Sequence, residues 1–82
     1  MNLIQLSNGD WINPADVKSI WADQFPDESG KYESGVDFKR GGVVQQFDTQ
    51  SESFRFRDDC ARKVNDALQA FNGPMINPSH LK

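Results

Sequence analysis

The stretch from Asp58 to Phe71 constrains this chain more than any other. At 100° per residue, Cys60, Ala61, Val64, Ala67, Leu68 and Phe71 fall within an arc of about 120°. Asp59, Arg62, Asn65, Asp66 and Gln69 occupy the other side. Asp58 or Asp59 is a good first residue, through capping and through the helix dipole. Asn72-Gly73-Pro74 is a stop: a left-handed cap, then a residue that cannot continue a helix. An amphipathic helix needs a second layer to cover its apolar face, and the rest of the chain reads as strands.

Residues Leu3 to Leu6 and Trp11-Ile12 flank Asn8-Gly9-Asp10, which predicts a first hairpin. Asn13-Pro14-Ala15-Asp16 fits a single helical turn capped by Asn13. Val17 to Phe25 is ambiguous, because Val17, Ile20, Trp21 and Gln24 also match a helical spacing; the aromatics favour a strand. Pro26 to Gly30 is a loop. Gly41-Gly42 then separates Val36–Arg40 from Val43–Asp48 and predicts a two-residue hairpin loop. Pairing Arg40 with Val43, Phe38 with Gln45 and Val36 with Phe47 puts Val36, Phe38, Val43 and Phe47 on one face. Thr49 to Ser53 reads as a polar connection. Phe54-Arg55-Phe56-Arg57 alternates like a last strand with both rings inward. The fold class expected is α+β: a small antiparallel sheet of four or five strands packed against one C-terminal amphipathic helix.

The 82 residues allow one core. The expected division is a domain over residues 1–73 and a mobile tail over 74–82, where prolines recur without periodicity. A core this thin gains from association with another protein or a second copy. The net charge of -3 does not point to nucleic acid or an anionic membrane as the main partner. One cysteine excludes an internal disulfide and fits a reducing compartment. With no signal-peptide pattern and no transmembrane stretch, the cytoplasm is the expected location.

Catalytic and metal chemistry find little support. Cys60 and His80 are the only residues of their kinds, too few for a closed zinc site. The acids Asp10, Asp16, Asp23, Asp27 and Glu28 stand against Lys18 alone in their segment, but lack calcium-loop spacing. Cys60 lies on the apolar arc and reads as a buried structural thiol. His80 sits in the expected tail without a context for base catalysis. The glycines form no phosphate-binding loop. The chain is therefore read as non-enzymatic, without cofactor or metal.

Two surface readings remain. Trp11, Trp21 and Phe25 lie in an N-terminal half too short to bury them all, and tryptophan and arginine dominate binding hot spots. With Arg55 and Arg57 on a free sheet face, they form the candidate partner-binding set. The alternative is a nucleic-acid-binding module using Arg55, Arg57, Arg62 and Lys63, although the rings of Phe54 and Phe56 would then face away from the arginines and offer no stacking platform.

Leu6, Asn8-Gly9, Asn13-Pro14, Val17 and Ile20, followed by a glycine-turned hairpin and a closing helix, form an order similar to that of small bacterial and phage accessory proteins of the FlbD type. The resemblance implies a β-rich fold with an accessory or regulatory role, and it carries no functional residue. The reading that follows is a small protein–protein interaction factor, with a second copy of itself as one candidate partner.

Overall fold

A computed structural model describes residues 3–70, 73 and 75–80. Strands β1 (Ile4–Gln5) and β2 (Trp11–Ile12) form the first hairpin, with Ile4 opposite Ile12. Gly9 takes φ 98° in its turn, a conformation open to glycine at no steric cost. Pro14–Asp16 makes one 3₁₀ turn, and the Asn13 side chain caps it by accepting from the Ala15 N–H. Then come β3 (Val17–Ala22), β4 (Tyr32–Phe38), β5 (Gly42–Phe47), helix α1 (Gln50–Gln69) and β6 (Ser79–His80).

The main sheet has the order β5-β4-β3-β6. Three strands are antiparallel neighbours, and β6 runs parallel to β3. The β1–β2 hairpin stands apart as its own two-stranded sheet. The α+β architecture is thus one helix on a four-stranded mixed sheet, with the hairpin beside it.

Helix and sheet share one core of Leu6, Ile12, Val17, Ile20, Val36, Phe56, Cys60, Ala61, Val64 and Leu68. Val17 reaches that core through a β-bulge: it pairs with Phe38 while Ser19 pairs with Asp37. The extra residue turns Val17 to the same face as Ile20, although three positions separate them. Trp21 points to the opposite face, where it pairs with Gly35.

The helix begins eight residues before the expected Asp58. Thr49 is its N-cap: its hydroxyl accepts from the Glu52 N–H at 3.2 Å and donates to Glu52 Oε1 at 2.9 Å. This has the sequence of a capping box and one of its two bonds, with the Glu52 carboxylate taking the Thr49 hydroxyl in place of the backbone N–H. Phe54-Arg55-Phe56-Arg57 is therefore helical and not a strand. On a helix Phe56 falls about 40° from Cys60 and joins the arc, whereas Phe54 falls about 120° away. The buried side of α1 accordingly runs Ser53, Phe56, Arg57, Cys60, Ala61, Val64, Leu68. Phe71, expected on that arc, lies outside the described residues. So do Asn72 and Pro74 of the stop, while the Gly73 N–H donates to the Leu68 carbonyl at 2.8 Å.

The hairpin around Gly41-Gly42 exists, but its turn is centred two residues earlier. The Phe38 N–H donates to the Gly41 carbonyl, and Asp37 pairs with Gly42, Val36 with Val43 and Tyr32 with Phe47. Lys39 and Arg40 form the tip. Gly41 takes φ 78° just after it. A Cβ on Gly42 would stand 2.9 Å from the Val36 carbonyl. Because the displacement is even, Val36, Phe38, Val43 and Phe47 still share a face.

Residues 75–80, expected within a mobile tail, are seated on the domain. Asn65 holds the backbone of Ile76 from both sides: its amide donates to the Ile76 carbonyl at 2.8 Å, and its Oδ1 accepts from the Ile76 N–H at 2.7 Å. Ile76 packs on the core, and Ser79-His80 pair with Trp21-Ala22.

Candidate functional site

The structure separates the expected binding residues. Trp21 is 8% exposed and buried on the sheet face away from the helix. Its Nε1 donates to Asp37 Oδ1 at 3.3 Å, and Asp37 Oδ2 also accepts from the Ser19 hydroxyl. It is a packed residue and not a surface anchor. Trp11 and Phe25 are exposed at 63% and 60%. They lie beyond opposite ends of β3, whose six residues span roughly 20 Å. Phe25 sits on the loop after β3, braced where the Gln50 amide donates to the Gln24 carbonyl.

Arg55 and Arg57 do not share a face either. Two residues apart on a helix, they diverge by about 200°. Arg55 is exposed. Arg57 is 9% exposed: its Nε donates to Asp58, its guanidinium lies 4.5 Å from the Phe54 ring centre, and its Nη1 is 3.0 Å from Nδ1 of His80. The His80 ring in turn lies 4.8 Å from that of Phe54. His80 therefore stacks in this cluster. Arg62 and Lys63 both pair with Asp59. Partial burial opposes ionisation of Asp59, but these two cations outweigh it and hold the carboxyl below its usual range. Of the basic set Arg55, Arg57, Arg62 and Lys63, only Arg55 lacks an ion pair among the described residues.

Around Trp11 the chain builds something more specific. Alternation along β2 buries Ile12 and turns Trp11 outward. The β4–β5 turn arrives beside it, tied by the Lys39 N–H donating to the Asp16 carbonyl at 3.0 Å. Trp11, Ile12, Asn13, Asp16, Phe38, Lys39 and Arg40 line an open cleft of about 410 Å³. Its apolar parts are the indole, Ile12 and the half-buried Phe38. Among the described residues neither Lys39 nor Arg40 forms an ion pair. A cleft with an apolar floor and two cations outside any ion pair, against the one acid Asp16, suits a ligand carrying both an apolar group and a carboxylate.

Only Trp11 of this group was expected to bind. A hairpin loop at Gly41-Gly42 would leave Lys39 and Arg40 inside a strand or at its end, with no local signal that links them to Trp11.

Cys60 is fully buried, and that burial, reinforced by the Asp59 charge and eased by Lys63, pushes its thiol up to about 12. Among the described residues no three His, Cys, Asp or Glu side chains are grouped to hold a metal ion. No described helix is long and apolar enough to cross a membrane.

Comparison of the chain with models of protein families, with curated proteins and with solved structures finds no match.

Proposed function

We propose that this protein is a non-enzymatic interaction factor that binds another protein through the Trp11 cleft. The observation that carries the reading is a tryptophan 63% exposed beside an apolar floor and two unpaired cations. An exposed indole in that setting adds nothing to the core, whereas tryptophan and arginine are the side chains that anchor interfaces. The segment that fits is short and extended, with an aliphatic or aromatic residue next to Asp or Glu. Lys39 and Arg40 meet its carboxylate, and Trp11 and Phe38 take its apolar side chain. An accessory or regulatory role in the cytoplasm is supported by the lone buried cysteine and by the FlbD-type order of the elements. Nucleic-acid binding by Arg55, Arg57, Arg62 and Lys63 is the less supported reading, since carboxylates already engage three of those four cations.

Panning a displayed library of random peptides against the folded protein tests the proposal. Selected sequences should combine an apolar residue with acidic neighbours. Trp11→Ala should weaken them by about tenfold or more. Binding should also shift the emission of Trp11, the exposed one of the two tryptophans. No enrichment, or binding indifferent to Trp11→Ala, would reject the cleft as the site.

A further inference from the structure

Strand β5 forms one edge of the main sheet. Its register says which way its backbone points. Phe38 bonds Gly41 across the turn, and hydrogen-bonded and non-bonded pairs alternate from there along an antiparallel ladder. Val43, Gln45 and Phe47 therefore direct N–H and C=O toward β4. Gly42, Val44 and Gln46 direct theirs to the open edge. Among the described residues no backbone hydrogen bond reaches that edge.

Sheet edges are ordinarily blunted by charged side chains, proline or a bulge. Gly42–Phe47 has no charged residue and no proline, and its ladder with β4 runs without a register shift. Val44, at the middle, is 54% exposed.

We propose that β5 pairs edge to edge with β5 of a second copy, antiparallel, about a two-fold axis at Val44. In this register Val44 stands opposite Val44 of the second copy, and Gly42 opposite Gln46. Every outward N–H and C=O of β5 then meets a partner. No like charges face each other along the strand. Arg40, at the tip of the β4–β5 turn, and Asp48, just past the strand and paired with Lys31, lie beyond the two ends of β5, so each end of the paired strands brings Arg40 of one copy near the Lys31–Asp48 pair of the other. Arg40 and Asp48 are exposed. The self-matching register, with opposite charges at its two ends, favours a second copy over an unrelated strand. The cross-strand row Trp21, Gly35, Val44 also continues into Val44, Gly35 and Trp21 of the second copy, covering the exposed valine. The contact is isologous and closes as a dimer. It does not rest on Trp11, which lies outside the paired strands; Arg40 alone is common to the cleft and the dimer contact.

Sedimentation equilibrium and amide exchange test this. The chain should approach twice its 9.3 kDa mass as concentration rises. The Val44 and Gln46 amides should become protected in step with association, while Val43 and Gln45 stay protected throughout. Val44→Lys sets two ammonium groups at the axis and should weaken the dimer by more than about tenfold. Val44→Pro removes an outward N–H that β4 does not use, so it should keep the fold and lose the dimer. Arg40→Asp, which leaves the Lys31–Asp48 pair of each copy intact, should weaken association several-fold. A chain that stays monomeric at millimolar concentration with a freely exchanging Val44 amide overturns the proposal. A dimer that tolerates both Val44 variants overturns it too.

Discussion

The indole of Trp21 lies across Gly35 so closely that a Cβ built on the glycine would stand 2.7 Å from Cζ2 and 2.5 Å from the Val43 carbonyl oxygen. The two residues are cross-strand partners in β3 and β4. The contact explains how a tryptophan on the sheet face away from the helix is nevertheless buried: the missing side chain of its partner makes room for the ring.

Gly35→Ala should therefore destabilise the fold, although Gly to Ala in a strand is usually favourable. The added methyl meets backbone on one side and a ring on the other, and neither yields by a simple rotamer change. A cost of about 1–3 kcal/mol is expected for overpacking of this kind. Chemical denaturation followed by tryptophan fluorescence measures it. A variant as stable as the parent would mean that the ring does not occupy that space.

Thr49→Ala should remove the cap of α1 and both hydrogen bonds to Glu52. The expected loss is about 1 kcal/mol. The same substitution would be nearly silent if residues 49–53 were an unstructured connection. Urea midpoints of the two proteins decide between these cases.

Asn65→Ala should release residues 75–80. Its amide is the fork that holds the Ile76 backbone, and removing it leaves a half-buried N–H and carbonyl without those partners. Hydrogen exchange should show the Ile76 amide opening while β4 and β5 keep their protection. Protease cleavage between Gly73 and His80 should accelerate in parallel. An Ile76 amide that stays slow would show that another contact holds this segment.

Stability should fall above about pH 9, and Cys60 should be one cause. The folded thiol titrates near 12, against an ordinary value of 9.0. Between those values the unfolded chain loses its thiol proton while the folded chain keeps it. The stabilisation is complete below pH 9 and is lost progressively as pH rises toward 12, with a slope of at most about 1.4 kcal/mol per pH unit. Comparing the parent with Cys60→Ala from pH 8 to 10.5 isolates the effect, since the variant should show the shallower decline. By the same logic a thiol reagent at pH 8 should label Cys60 only at the rate at which the protein opens.

Much of the architecture is legible in the residues, and the failures have physical sources. The Asn-Gly turn, the Asn13 cap and the arc from Cys60 to Leu68 announce themselves because each depends on local chemistry. The bulge between Val17 and Ser19 hides β3: it brings Val17 and Ile20 to one face at a spacing that also suits a helix. Phe54-Arg55-Phe56-Arg57 has the period of a strand, and the contrary signal is the Thr49-x-x-Glu52 capping pattern. The glycine pair imitates a hairpin loop, yet Gly41 serves the end of a turn made by Lys39 and Arg40, and Gly42 serves close approach to Val36. That displacement concealed the candidate site most, because the cleft exists only once Lys39 and Arg40 stand at a tip beside Trp11. The burial of Trp21 depends on a cross-strand glycine fourteen positions away and has no local signature.

The position of β6 has a consequence for how the molecule is made. Among the described residues it is the last element in chain order, yet it lies against β3, among the first. The Ser79 hydroxyl donates to the carbonyl of Ile20, which is synthesised 59 residues earlier. Throughout synthesis of everything between them, one side of β3 has no strand beside it, even when β4, β5 and α1 have already assembled. For that interval the nascent chain carries an open sheet edge on a nearly finished domain. Unwanted pairing at this end of β3 during translation is therefore a matter of timing: Trp21 and Ala22 are covered only when residues 79–80 are free to fold back and the Asn65 fork has closed on Ile76.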